Sequence, residues 1–253
     1  MIRTIRAELY RLSQSKGMLI FFLLIIAIFA LTVVYRNDGG ISLGAPLDYT
    51  GNIKVDKRQV GRNFNFYFLM IIPVFCVIVS EFNEKTWKNT ISSSTSRARF
   101  YIQKFVFTLG FSIIVFLAAN ALFYLANRLV NGSEYSSSFG DFMKALGNQV
   151  PLMTALVSLF IFLSFLFRKG ALFNAVTIVT PILYTTVSLI LFEIEKTNKF
   201  AAKWLLEYEI STMFSKLALG CSNDYRNAAF LICLGVTVCS FVLGYFSFTK
   251  REI

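Results

Sequence analysis

The chain has 253 residues, of which 56% are hydrophobic, and a formal net charge of +11 at pH 7. Soluble domains are roughly 45–50% apolar, so this composition indicates a membrane protein. The Lys and Arg residues lie in short segments between apolar runs, where they meet phospholipid head groups, and this argues against a nucleic-acid binder. The chain contains no histidine, which excludes Ser-His-Asp and Cys-His catalytic devices and imidazole metal sites.

The cysteines and the glycines give no sign of a bound group either. Cys76, Cys233 and Cys239 lie in apolar runs, Cys221 lies outside them, and no CxxC spacing suggests a metal. No GxxxxGK[ST] motif is present to hold nucleotide phosphates. We therefore expect a chain that is not an enzyme and that holds no metal or cofactor of its own.

The first seventeen residues carry an apolar stripe, Ile2, Ile5, Leu9 and Leu12, at helical spacing. This pattern predicts an amphipathic helix that lies in the membrane interface before the chain turns into the membrane at Gly17. A generic basic signal that keeps the N-terminus inside is the alternative.

Six apolar runs are each about as long as the ~20 residues that cross the hydrocarbon core of a bilayer. None of them contains Asp, Glu, Lys or Arg. They predict an all-α membrane protein with six transmembrane helices in a single domain over residues 1–253. The predicted spans are Met18–Tyr35, Phe64–Ser80, Phe105–Asn127, Val150–Phe167, Ala171–Phe192 and Ala228–Phe248.

The distribution of basic residues sets the expected orientation. Lys and Arg are denser in the segments that lie inside if the N-terminus is inside, so both termini are expected in the cytoplasm. Arg168-Lys169-Gly170 separates two long apolar runs and predicts a tight helical hairpin. The long segment Glu193–Asn227 contains two short apolar patches, around Trp204 and around Phe214, which predict short helices that re-enter the outer leaflet.

The polar groups inside the spans are neutral, for example Asn120 and Thr154. A proton-coupled carrier needs a titratable group at membrane depth, so this pattern argues against one. Pro73 and Pro181 lie in mid-span and predict kinks, either for packing or beside a cavity.

The inner segment from Ser80 to Lys104 is the most informative part of the chain. It begins as a polar helix with aromatic residues at Phe82 and Trp87 and continues through a serine-rich stretch. A short amphipathic helix of this kind either is an ordinary basic loop or offers a partner protein a surface to bind.

This segment resembles the coupling region of ABC-2 type export permeases. The resemblance lies in a glutamate (Glu81 or Glu84), Thr86, the pair Ser96-Arg97, and Lys104 at the start of the next span. It departs from the pattern at Lys85, where glycine is usual, and at Ser94, where proline is common. The basic N-terminal helix, the six spans and the helical patch between the last two extend the resemblance over the whole chain. Permeases of lantibiotic-immunity, bacitracin-resistance and phenol-soluble modulin exporters are the most similar in kind.

The resemblance implies a non-catalytic transmembrane subunit in the plasma membrane of a bacterium. Its expected partners are a separate ABC ATPase subunit that binds ATP and Mg, a second permease copy, identical or not, and membrane lipid. Its expected passenger is an amphipathic peptide, such as an antimicrobial or toxin peptide, or a lipid-like molecule. The resemblance assigns the ATPase contact to a cytoplasmic coupling helix between spans 2 and 3, formed by Glu81, Glu84, Lys85, Thr86 and Trp87 with Arg97 beside it. It places the substrate cleft at Phe68, Pro73, Asn174, Thr177 and Pro181.

Two other functions remain open on the sequence. One is a membrane sensor or scaffold that recruits a partner and transports nothing, and the other is an ion-coupled secondary transporter. A neighbouring reading frame that encodes a P-loop ATPase would separate both from an exporter.

Overall fold

The computed structural model describes residues 2–35, 71–92, 96–131, 138–195, 205, 207, 208, 210–219 and 221–250. Every regular element in these ranges is a helix, as the sequence predicts. The helices are α1 (Ile2–Ser13), α2 (Lys16–Tyr35), a π-helical turn (Phe75–Val79) that continues into α3 (Ser80–Glu84), α4 (Thr86–Ser92), α5 (Arg97–Asn131), α6 (Phe139–Phe167), α7 (Gly170–Glu195), α8 (Ile210–Leu219) and α9 (Asn223–Thr249).

Three of the described helices are long and apolar enough to cross a membrane, namely those over Arg97–Val130, Phe139–Phe167 and Asn223–Thr249. A fourth is added if the bent pair of helices at the N-terminus counts as one span. These helices support a multi-pass membrane protein. The count of six spans and the positions of the termini stay predictions, since residues 64–70 of the second predicted span lie outside the described residues.

The N-terminal region forms two helices, as predicted, but the turn between them is not at Gly17. Helix segments Ile5–Ser13 and Lys16–Ala27 meet at 68°, and the break lies at Gln14 and Ser15. The Ser15 carbonyl already accepts from the Met18 N–H at 3.1 Å, so α2 has begun before Gly17. Gly17 instead permits close packing, because a Cβ there would lie 3.2 Å from Cys76 Sγ.

Helix α6 forms the centre of the bundle and packs most extensively against α9. In the most apolar stretch of α6, 56% of the residues are buried, compared with 33% in the same kind of stretch of α5 and 22% in that of α9. A helix apolar on all sides is expected either at the centre of a protein or against lipid, and these values assign α6 to the centre.

The structure contains a turn at the place where the sequence predicts one, between the fourth and fifth predicted spans. Helix α6 ends at Phe167 and α7 begins at Gly170. Arg168 adopts the left-handed conformation, with φ of 50°, and its N–H donates to the Ser164 carbonyl at 3.0 Å. The connection is therefore two residues long, and its location in the cytoplasm stays a prediction.

Between α7 and α9 the structure contains the helix α8, in the place of the second predicted apolar patch. Its Phe214 carbonyl accepts from Gln149 Nε2 of α6 at 3.1 Å, and Phe214 is fully buried. The first patch, around Trp204, lies largely outside the described residues. Whether α8 enters the outer leaflet stays a prediction.

Candidate functional site

Residues 80–92 form two short helices, α3 and α4, that meet at Lys85, and we name this segment the elbow. Lys85 has φ of 58°, in the left-handed region. Residues with a Cβ adopt that conformation at a cost of about 1–2 kcal/mol, whereas glycine does so freely. This explains why glycine is usual at this position in the family that the sequence resembles, and it shows that the elbow keeps its bend although the residue is lysine.

The elbow is tied to α1 and α5 by a group of charged residues, Glu8, Arg11, Glu81 and Lys104, which we name the ionic cluster. Lys104 Nζ lies 2.6 Å from Glu81 Oε1 and 2.6 Å from Glu8 Oε1. Arg11 pairs with Glu81 and, at 3.0 Å, with Glu8 Oε2. Three separate segments of the chain therefore meet at two carboxylates and two cations.

Most of the ionic cluster is shielded from solvent. Lys104 is 4% exposed and Glu81 is 8% exposed. Burial raises the pKa of Glu81, and the charges of Lys104 and Arg11 oppose that rise. Because a buried ion without its partner is strongly destabilising, the cluster holds the three segments together as one unit.

A carbonyl of the π-helical turn completes this anchor. The Val77 carbonyl accepts from Arg11 Nη2 at 2.7 Å and from Lys104 Nζ at 3.5 Å. Such π turns are rare and occur frequently at functional sites. The end of the second predicted span is therefore fixed to the same two cations as the elbow.

The other side of the elbow packs into a group of rings, Phe82, Trp87, Phe100, Phe165 and Phe248, which we name the aromatic cluster. The ring centroids of Phe82 lie 5.6 Å from Trp87 and 5.4 Å from Phe165, in edge-on arrangements. Phe165 and Phe248 lie 4.9 Å apart. These distances are those of favourable aromatic pairs, so this side of the elbow is packed against α6 and α9.

Arg168, in the α6–α7 turn, covers the aromatic cluster. Its guanidinium lies 4.9 Å from the Phe248 ring centroid and 5.9 Å from that of Trp87. It also donates to the carbonyls of Ser247 and Phe248 at 3.3 Å. A cation is favourable at the C-terminal end of a helix, so Arg168 links the elbow to the end of α9.

The elbow also exposes a polar surface to solvent. We name it the outer edge; it consists of Asn83, Glu84, Lys85, Thr86 and Lys88. Asn83 is fixed in place, since its Oδ1 accepts from the Gly170 N–H at 2.9 Å. A Cβ at Gly170 would clash with the Asn83 side chain, so glycine is required for this contact.

The sequence assigned the ATPase contact to a set of elbow residues, some of which the structure exposes and some of which it buries. Glu84, Lys85 and Thr86 lie on the outer edge, but Glu81 and Trp87 are buried within the chain. Glu81 faces the cations of α1 and α5, and Trp87 faces the aromatic cluster. These two residues therefore hold the elbow in place from within the chain, and their contact with a partner stays a prediction. Arg97 lies half-buried at the start of α5.

The predicted cleft residues are only partly described. Pro73 and Thr177 are buried, and Thr177 Oγ1 donates to the Phe173 carbonyl at 2.8 Å. Asn174 is exposed, Pro181 lies within α7, and Phe68 lies outside the described residues. Their convergence on one cleft stays a prediction.

Sequence reasoning missed Glu8, Arg11 and the pairing of Lys104. The sequence does contain a pattern that indicates an ion pair, because Glu8 and Arg11 are spaced i, i+3 on a helix that is otherwise apolar on one face. The predicted third span begins at Phe105, whereas α5 begins at Arg97 and buries Lys104 two turns later.

The elbow combines an exposed polar edge with a buried side that is fixed to other helices. Within the described residues no group of three or more Cys, Asp or Glu side chains could hold a metal ion. The model of the ABC-2 family transporter proteins matches residues 4–188, more than half of the chain.

The chain belongs to the ABC-2 family of transporter proteins. The ABC-2 match includes most of α1, then α2, the elbow, α5, α6 and most of α7, and therefore the whole ionic cluster. Members of this family are transmembrane subunits of ABC transporters, which work with an ABC ATPase. No characterised protein matches the chain significantly.

Proposed function

We propose that this ABC-2 protein is the transmembrane subunit of an ATP-driven exporter in the plasma membrane of a bacterium. It pairs with a second permease copy, and two separate ATPase chains bind ATP and Mg and drive it. Its passengers are amphipathic peptides or lipid-like molecules. The observation that carries the proposal is the elbow, which presents a polar outer edge and is anchored on its inner side to four helices.

The outer edge is the surface that the ATPase contacts. Glu84, Lys85, Thr86 and Lys88 are exposed there and offer charges of both signs. An ATPase can move the permease only if its two nucleotide states bind this edge with different free energies. The elbow passes that difference on, because its buried side is fixed to α1, α5, α6 and α9.

The passenger class follows from the polarity of the membrane helices. Their buried polar groups are mostly neutral, for example Asn120 and Thr177, among many Phe, Leu and Ile residues. A path of this kind accommodates an apolar face and leaves a polar face hydrated, as an amphipathic peptide requires.

Transport by the reconstituted complex tests this function. The permease is placed with its ATPase in sealed vesicles that contain a labelled amphipathic peptide. We expect ATP to drive transport, with an initial rate that hardly changes when the proton gradient is collapsed. A small polar solute should not stimulate ATP hydrolysis. Transport that proceeds without ATP and stops with the proton gradient would refute the exporter and favour an ion-coupled carrier.

A further inference from the structure

Four exposed lysines lie around one end of the helical bundle, and we name this group the basic face. Lys85 and Lys88 belong to the outer edge of the elbow, Lys169 lies in the α6–α7 turn, and Lys250 lies at the end of α9. In the described residues of these three segments Glu84 is the only exposed carboxylate. Positive charges therefore outnumber negative charges on this surface.

The α6–α7 turn lies beside the elbow. The Gly170 N–H donates to Asn83 Oδ1 at 2.9 Å, and the exposed Lys169 directly precedes Gly170 in the chain. Because consecutive Cα atoms are about 3.8 Å apart, Lys169 is held next to the outer edge.

The end of α9 also lies against the elbow. The ring centroids of Trp87 and Phe248 are 6.1 Å apart. Lys88 Nζ lies 5.8 Å from the Trp87 ring centroid, and Lys250 follows Phe248 by two residues. The elbow, the α6–α7 turn and the end of α9 therefore form one continuous surface.

The charges of the basic face are not neutralised by the described part of the chain. Lys104 pairs with two buried carboxylates, whereas none of the four exposed lysines pairs with a carboxylate of the described residues. The carbonyls of Ser247 and Phe248 accept from Arg168, so another cation already compensates the dipole at the end of α9. The four ammonium groups are therefore available to a partner.

The position of the basic face indicates where its partner comes from. Helix α6, the centre of the bundle, ends at Phe167 beneath this face, and Phe165 packs against Phe82 of the elbow at a centroid distance of 5.4 Å. Lipid surrounds the sides of a bundle, whereas the end of a bundle faces the aqueous phase. A water-soluble partner with an acidic surface is therefore complementary to the basic face.

From this charge and this position we infer that the basic face docks onto an acidic surface of the ATPase. The inference rests on the proposed function, because it takes the outer edge as the ATPase contact, and it extends that contact to the α6–α7 turn and the end of α9. Complementary charges speed the encounter of two proteins and disfavour partners of the wrong sign. Lys169 and Lys250, for which the sequence predicted no role in binding, thus contribute to the selection of the ATPase.

The affinity of the full-length permease for its ATPase tests the inference. The permease is placed in nanodiscs of phosphatidylcholine, which has no net charge, and binding is measured at about 0.1 M and about 1 M salt, where the Debye length is about 10 Å and about 3 Å. We expect the double variant Lys169→Glu, Lys250→Glu to bind at least about tenfold more weakly than wild type at the lower salt, and this difference to shrink at the higher salt. The matched control is Lys16→Glu with Lys144→Glu, which makes the same charge change at exposed positions outside the basic face and should bind like wild type.

A substitution with the opposite expected effect separates charge from misfolding. Glu84→Gln removes the exposed carboxylate of this surface, so it should tighten ATPase binding by about twofold at the lower salt. A disturbed elbow would instead weaken binding at both salt concentrations.

The remaining outcomes distinguish this inference from the proposed function. Equal ATPase affinities of wild type and the Lys169→Glu, Lys250→Glu variant at both salt concentrations would overturn the inference and leave the elbow contact intact. If that variant instead loses phosphatidylglycerol from mixed nanodiscs while its ATPase affinity is unchanged, the lysines hold anionic lipid and the inference is wrong. Failure of the ATPase to bind the wild-type permease in either nucleotide state would refute the proposed function itself.

Discussion

The elbow is anchored on two sides by contacts of different physical kinds. The ionic cluster fixes it to α1 and α5 through a few directional ion pairs, in which Lys104 bonds to both carboxylates. The aromatic cluster fixes it to α6 and α9 through several weak ring contacts of Phe82 and Trp87. Loss of one ion leaves another buried and unpaired, whereas loss of part of a ring removes only part of the packing. A single substitution in the ionic cluster should therefore cause a large loss of stability. Substitutions in the aromatic cluster should cause losses that increase with the number of ring atoms removed.

The largest effect is expected from Lys104→Met, which removes the cation that both carboxylates share. Glu81 and Glu8 are then left in a buried site with Arg11 alone, and removal of one partner from a buried ion pair typically costs about 3–5 kcal/mol. We expect the free energy of unfolding in detergent to fall by that amount. Lys144→Met is the control, because Lys144 is exposed on α6.

A second substitution distinguishes ionic from packing effects at this site. Adding Glu81→Gln to Lys104→Met removes the excess negative charge, so the double variant should be more stable than Lys104→Met alone by at least about 1 kcal/mol. If the stability lost in the double variant equals the sum of the losses in Lys104→Met and Glu81→Gln, the ionic cluster acts by packing. The two anchors would then not differ in physical kind.

A smaller and graded effect is expected from Trp87. Trp87→Ala empties a buried site between Phe82 and Phe248 and should lower the free energy of unfolding by about 3 kcal/mol. Trp87→Phe keeps a ring in place and should lower it by only about 1 kcal/mol. Tyr10→Ala is the control, since Tyr10 is an aromatic residue that is 70% exposed on α1. Equal losses for Trp87→Phe and Trp87→Ala would contradict a graded anchor.

The smallest effect, and one of opposite sign, is expected at Lys85. Lys85→Gly relieves the left-handed conformation, worth about 1–2 kcal/mol, and costs about 0.5–1 kcal/mol in chain entropy. The permease should gain about 0.5 kcal/mol or slightly more in chemical unfolding. Arg168 has a similar φ but binds the aromatic cluster and the end of α9, so Arg168→Gly should be destabilising. A stability loss from Lys85→Gly would show that the lysine side chain holds the elbow.

The sequence predicted the helical class, the bent N-terminus, the α6–α7 turn and the position of the elbow, because each depends on a local pattern of apolar or basic residues. It did not predict which elbow residues are buried. Glu81 and Glu84 are indistinguishable in the sequence, and their different roles depend on Lys104 and Arg11, which approach from distant parts of the chain. Trp87 was read as a binding residue, since an aromatic residue in a polar helix has the same pattern whether it faces a partner or the chain's own core.

Site-specific photo-crosslinking from the outer edge tests most directly the claim that the elbow is the ATPase contact. A photoreactive residue is placed at Glu84 or Lys88 on the outer edge, and at Asn227 on α9 as an exposed control. The account predicts crosslinks from Glu84 and Lys88 to a protein whose peptides contain a GxxxxGK[ST] motif, with a yield that changes between ATP with Mg and ADP, and none from Asn227. Crosslinks to that ATPase from other exposed positions but not from Glu84 or Lys88, in either nucleotide state, would contradict it.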